Sequence, residues 1–140
     1  MRRRRADLAS PAVDPAEDLL RRLAFNDENV LGMVLTRRVG ADRPSELGSK
    51  IELLVRLAAL LAVGAATPSL REAVEQASAA GATADEIVGV LVSVGPTIGL
   101  AGVVASAPKL AMAIGYDLEN GYGHEHDSDA GNGYTPEVSG

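Results

Sequence analysis

The chain of 140 residues contains no cysteine and no tryptophan, and it has only two histidines. Without cysteine it has no disulfide, no thiolate nucleophile and no thiolate metal ligand. A peroxidase that cycles a Cys-x-x-Cys pair is therefore excluded. Phe25 is the only aromatic residue before Tyr116, so a core must be built from Leu, Val, Ile and Ala.

Positive charge is also scarce: 13 Lys and Arg stand against 19 Asp and Glu, a net charge of -6. This balance argues against non-specific nucleic-acid binding. Four arginines occupy positions 2–5, whereas residues 116–140 carry six carboxylates and no Lys or Arg. No apolar segment of signal-peptide length follows the arginines. We expect a cytoplasmic protein with a disordered basic arm (1–13) and a disordered acidic tail (117–140).

The rest of the chain is organised around residues 47–81. Nearly every residue from 50 to 63 is apolar, which predicts a helix buried on most of its sides. Thr67 is expected to be the N-cap of a second, amphipathic helix that has Pro68 at its first position and ends at Gly81.

Helix start signals recur on both sides of this pair. A helix start is predicted at three places: at Asp14, which precedes Pro15; at Asp27; and at a capping box formed by residues 83–86. The two N-terminal helices, which start after Asp14 and after Asp27, are expected to place their leucines and valines in the core. The helix after Thr83 is expected to place Ile87, Val90, Leu91 and Val94 on one face. Gly95-Pro96 is expected to break it, and 97–114 to resume it with a kink or division at Pro108. We predict an all-α, compact bundle of about six helices over 14–116.

Three segments resemble the carboxymuconolactone decarboxylase/AhpD-like family. They are L-G-S-K at 47–50 before a long Ala/Leu helix, A-G-A-T-A-D-E-I at 80–87, and the Val/Gly-rich stretch 88–101. The resemblance covers roughly the middle half of the chain. It implies an AhpD-like helical fold and a homo-oligomer, a trimer or a hexamer.

The redox motif of that family is missing. Its redox members carry a Glu, then Cys-x-x-Cys and a His four residues later. Aligned without a gap from Leu47, the two Cys positions fall on Ala65 and Pro68, the His on Glu72 and the Glu on Leu53. Aligned backwards from Gly81, the Cys positions become Ala66 and Ser69, and the His becomes Ala73. Neither alignment retains a diagnostic group.

Four residues are candidates for acid/base or ligand-binding roles. Glu52 and Arg56 are one helical turn apart, and one residue of slippage would give Glu52 the role of the family's Glu. Arg71 and Glu72 lie on the polar face that lines the active cleft in the resembling family. Arg71 suits a substrate carboxylate. The competing interpretation of Glu52 and Arg56 is a structural ion pair. For Arg71 and Glu72 it is that both are ordinary charged side chains in solvent.

The only histidine cluster is His124 and His126, separated and followed by carboxylates. His-x-His is a possible zinc or nickel site, and the competing interpretation is a solvated tail. Thr97, beside Gly95-Pro96, suits either a ligand hydrogen bond or a helix cap.

Residues 87–108 contain no charge over 22 positions, long enough to span a bilayer. Their glycines, prolines and hydroxyl side chains fit a soluble bundle better, and a membrane is not an expected partner.

Three functions remain open. The first is a divergent family member without thiol chemistry that acts as a binding or assembly subunit. The second is a cofactor-free lyase of the carboxymuconolactone decarboxylase type, and the third is a small membrane-associated protein. No cofactor is predicted. A small anionic ligand or a protein partner is compatible with the sequence, and nucleic acid is not expected.

Overall fold

A computed structural model describes residues 12–39 and 46–119. Within these residues the only regular secondary structure is helical, which confirms the all-α class. The described residues form five helices, where about six were predicted: α1 (Pro15–Ala24), α2 (Glu28–Leu35), α3 (Ser49–Ala62), α4 (Thr67–Ala79) and α5 (Ala84–Ile114). The contacts divide the chain into two units, Met1–Asp42 and Arg43–Gly140. The predicted arm and tail lie almost entirely outside the described residues, and their boundaries stay a prediction.

The first unit is a pair of short helices in contact, each capped as the sequence predicted. The Asp14 side chain accepts from the backbone N–H of Ala16. The Asp27 side chain accepts from the N–H groups of Asn29 and Val30 and from Arg22 Nε, the last at 3.0 Å. These hydrogen bonds, the one from Arg22 first, lower the pKa of Asp27. The turn between the helices is therefore held by one carboxylate.

The inward stripe predicted for these two helices is wrong in part. Val30 is buried, but α1 buries no residue, and Leu35 on α2 is exposed. Phe25, the only aromatic before Tyr116, is 81% exposed. Two helices of ten and eight residues contact each other along a narrow line, so most of their apolar side chains find no partner there.

In the second unit α3, α4 and α5 all pack against one another. Buried side chains from all three helices form one hydrophobic core: Leu57, Leu61, Leu70, Ala73, Val74, Ile87, Leu91 and Leu110. On α3 only Leu53, Leu57 and Leu61, four residues apart, are buried. The expectation that α3 is buried on most sides is wrong for this chain alone, because Ile51 and Val55 are about half exposed.

The start of α4 also differs from the prediction. Thr67 is the first helical residue and the N-cap is Ala66, whose side chain offers no hydrogen bond. Proline thus falls one position later in the first turn than predicted, where its missing N–H still costs no helical hydrogen bond.

The longest helix, α5, changes direction at Gly99. Gly99 has φ 76° and ψ 175°, whereas Pro96 and Pro108 keep helical geometry. The break is therefore at Gly99 and not, as predicted, at Gly95-Pro96. Only glycine adopts this conformation readily, because a Cβ would clash with the backbone. The 31 residues are divided into two arms of 15 on either side of Gly99, 84–98 and 100–114.

The two arms approach each other closely at this corner. A Cβ added to Gly95 would lie 3.5 Å from Val103 Cγ2, although residues eight apart in a straight helix are separated by about 12 Å along the axis. A Cβ added to Gly102 would come within 3.0 Å of Ile98. Both arms reach the same core, through Ile87 and Leu91 on the first and Leu110 on the second.

Candidate functional site

The predicted pair on α3 lies at the edge of the buried face. Glu52 is half-buried, and Arg56 is exposed. Leu53, between them in sequence, points into the core and is buried. Glu52 therefore stands at the boundary between the core and solvent, and the acid/base role assigned to it stays a prediction.

The polar face of α4 carries the other two candidates. Arg71 and Glu72 are both exposed, on the side opposite to Leu70, Ala73 and Val74. Glu72 accepts a hydrogen bond of 3.2 Å from Gln76 Nε2, one turn later in the same helix. These side chains form a solvated surface in this chain, and their proposed contact with a substrate is likewise untested.

The positions that would carry the redox motif lie on α3, α4 and the turn between them. In the first alignment Leu53 is buried, Ala65 is half-buried, and Pro68 and Glu72 are exposed. Three of the four side chains hold no ionisable group. Three of these positions are helical, no nucleophile stands at the two Cys positions, and Glu72 is the only ionisable side chain of the four.

The capping box predicted at 83–86 is present, and it also holds an ion pair that the sequence did not reveal. Thr83 N donates to Glu86 Oε2 at 2.9 Å, and Glu86 N donates to Thr83 Oγ1 at 3.1 Å. The other carboxylate oxygen, Oε1, accepts from Lys50 Nζ at 2.9 Å. The Thr83 backbone N–H, and after it Lys50, lower the pKa of Glu86.

This ion pair joins the first turn of α3 to the first turn of α5. Lys50 and Glu86 are 36 residues apart. The capping box signals that Glu86 is held in place, but nothing in the sequence indicates which cation reaches it. The arrangement is structural: both oxygens of the carboxylate are engaged, so it is a poor general base.

A metal site is not formed by the part of the chain that the structure describes. Within residues 12–39 and 46–119, no three His, Asp or Glu side chains are grouped to hold a metal ion. The predicted ligands His124 and His126 lie outside the described residues, so that prediction is untested. Thr97 is exposed and lies inside α5, two residues before the corner.

The outer surface of α5 is the most unusual feature of the second unit. Only five of its 31 residues are buried. On the second arm one continuous face is apolar and exposed; we call it the outer face of the second arm, and it consists of Leu100, Ala101, Val104, Ala105, Pro108 and Met112. The largest of these side chains are 82%, 63% and 59% exposed, for Leu100, Val104 and Met112 in turn.

By length and composition α5 is also the one helix of the described residues that would suffice to cross a membrane. The corner at Gly99 changes what that length means. Each 15-residue arm is about 22 Å long, whereas a bilayer's hydrocarbon core is about 30 Å thick. In the bent form neither arm spans a bilayer by itself.

Comparisons with known proteins gave no match to a protein-family model, to a curated protein or to a solved structure. The resemblance to the carboxymuconolactone decarboxylase/AhpD-like family therefore remains a prediction from residues 47–101.

Proposed function

We propose that this chain is a divergent carboxymuconolactone decarboxylase/AhpD-like protein that has no thiol chemistry and serves as a binding or assembly subunit. In this proposal it acts in the cytoplasm as a homo-oligomer, a trimer or a hexamer. The observation that carries the proposal is the outward position of the apolar side chains of α5. The absence of cysteine removes the alternative of a thiol peroxidase.

The energetic reason for assembly is the amount of apolar surface left in water. Fully burying a Val, Leu or Met side chain is worth about 1.5–3 kcal/mol. Val92, Leu100, Val104 and Met112 are each more than half exposed, and Ile51 and Val55 on α3 are about half exposed. Covering such side chains on two copies at once gives a gain comparable to the cost of association, about 4–15 kcal/mol.

Light scattering coupled to size-exclusion chromatography tests this proposal in detergent-free buffer. We expect a single species with the mass of three or six chains of 14.4 kDa. A monomer at all concentrations from about 1 µM to 1 mM would contradict the proposal. Chains that do not associate at 1 mM have an association free energy weaker than about 4 kcal/mol. Recovery only in the lipid fraction would favour the membrane-associated alternative.

A second candidate function is favoured by the position of Glu52. A half-buried carboxylate at the edge of a core is suited to general base catalysis if the assembly encloses it. Lyase activity on a carboxymuconolactone that falls at least tenfold in Glu52→Gln but is retained in Asp85→Asn would support it. Absence of turnover by the wild-type oligomer would leave the binding or assembly role.

A further inference from the structure

The two arms of α5 differ in what they expose. The first arm shows Asp85, Ser93 and Thr97 to solvent beside Val88 and Val92. The outer face of the second arm shows only apolar side chains, and the arm's sole charge, Lys109, is half-buried outside that face. Polar groups therefore interrupt one surface and not the other, and the second is the better candidate for an interface.

The charge of the second unit argues against an anionic lipid surface as the partner of this face. Residues 46–119 contain eight carboxylates (Glu46, Glu52, Glu72, Glu75, Asp85, Glu86, Asp117 and Glu119) and four cations (Lys50, Arg56, Arg71 and Lys109), a balance of -4. An anionic lipid surface is repelled by that balance, and neither arm is long enough to span a bilayer. Contact between two copies of an uncharged face brings no like charges together.

The shape of the face suits a second copy as well. Ala101 and Ala105 are four residues apart, so they lie in one row along the helix. Small residues in such a row allow two helix backbones to approach closely. Leu100, Val104 and Met112 lie in the neighbouring row of the same helix, so the larger side chains of one copy can pack over the alanines of the other. A two-fold axis near Ala105 makes the face self-complementary, because each residue then meets its own equivalents or their neighbours.

We infer that the outer face of the second arm binds the same face of a second copy of this chain, with the two helices antiparallel and crossing near Ala105. The inference rests on the proposed assembly in its hexameric form and names one of its interfaces, because a hexamer with two-fold and three-fold axes contains such a pair and a trimer does not. Six residues on each side are fewer than the 20–30 of a standard interface, so this contact alone is expected to be weak. Larger assemblies add contacts elsewhere to this pair.

The first test introduces a single charge. Val104→Glu places a carboxylate inside the contact and is expected to raise the concentration of half-dissociation by about tenfold or more, measured by sedimentation velocity over a concentration series. Thr97→Glu adds the same charge to an exposed position of the other arm. This variant is expected to change the concentration of half-dissociation by less than about threefold. Circular dichroism shows whether each variant is folded.

The second test uses the absence of cysteine in the chain, because one introduced thiol is then the only one. Ala105→Cys is expected to form a disulfide-linked dimer under mild oxidation, since residues on the crossing point approach within disulfide distance. Ser78→Cys, exposed on α4, is the control and is expected to remain uncrosslinked. This result decides the question if Val104→Glu does not fold.

The outcomes separate this inference from the proposed function. An oligomeric wild type that Val104→Glu leaves intact, together with no Ala105→Cys dimer, would overturn the interface and keep the assembly. A wild type that is monomeric throughout would overturn both. A monomer that co-sediments with phosphatidylcholine/phosphatidylglycerol vesicles, and loses this binding in Val104→Glu, would assign the face to lipid.

Discussion

The helices α4 and α5 show opposite relations between apolar content and burial. The first is rich in polar residues, yet it buries four of its 13 residues: Leu70, Ala73, Val74 and Ala77. The second is almost wholly apolar and buries five of 31. The difference shows that spacing determines which side chains enter the core of one chain. A surplus of apolar residues, which spacing cannot place inside, remains on the surface and needs another partner.

The largest expected effect separates a core leucine from a surface leucine. Leu57→Ala removes a side chain that is 0% exposed and is expected to lower the free energy of unfolding by about 2–5 kcal/mol. Leu100→Ala is expected to change it by less than about 0.5 kcal/mol at low protein concentration, in urea denaturation. Similar losses in both variants would mean that Leu100 is buried in the protein as it exists in solution.

A smaller effect is expected at the corner of α5. Gly99→Ala forces a Cβ into a conformation that only glycine adopts readily, so it is expected to cost about 1–3 kcal/mol of unfolding free energy. Gly89→Ala is the matched control: it has nothing within 4 Å and ordinary helical geometry, so it is expected to stabilise by about 0.4–1 kcal/mol. Equal stability of the two variants would contradict a turn at Gly99.

The start of α5 depends on a local hydrogen bond, and its loss is expected to have an effect of about 0.5–2 kcal/mol. Thr83→Ala removes the hydroxyl that accepts from the N–H of Glu86. Thr83→Ser keeps a hydroxyl at the same position and is expected to retain most of the wild-type midpoint of thermal unfolding. If serine is no better than alanine, the capping hydroxyl does not stabilise this helix.

The smallest effect concerns pH. The pKa of Glu86 is lowered in the folded chain, so its ionised form stabilises the fold above the ordinary carboxyl value of 4.5. That contribution is lost as the pH falls from 4.5 through the lower pKa of the folded state. We expect wild type to lose more unfolding free energy than Glu86→Gln between pH 6 and pH 3. Denaturant titration at each pH measures this loss.

Asp85→Asn provides the control for this measurement, because it removes one carboxylate from the same helical turn and leaves the pair of Glu86 with Lys50. Its pH dependence is expected to follow that of wild type. A flat profile for both wild type and Glu86→Gln would show that the pair contributes nothing measurable, as many exposed ion pairs do.

The start signals of three helices could be predicted from the sequence, because capping involves residues two or three positions apart. Asp14, Asp27 and Thr83 all cap as expected. The same local reasoning predicted Thr67 as the N-cap of α4, whereas Thr67 is the first helical residue and Ala66 is the N-cap. It also placed the break of α5 at Gly95-Pro96, because proline usually interrupts a helix, whereas both prolines of α5 remain helical.

The candidate site was only partly predictable. The sequence proposed four candidates, Glu52, Arg56, Arg71 and Glu72, of which the structure leaves only Glu52 partly buried, and it showed that the chain has no cysteine. It did not identify the contact of Lys50 with Glu86, since a pairing across 36 residues depends on how two helices pack.

By itself the sequence determined the helical class, the capped helix starts and the exclusion of cysteine chemistry, since these follow from composition and from contacts within one turn. Only the tertiary structure decided which face of the second arm of α5 enters the core and that the helix changes direction at Gly99. The second arm is apolar on nearly every side, so its sequence has no clearly preferred inward face, and packing against α3 and α4 makes that choice.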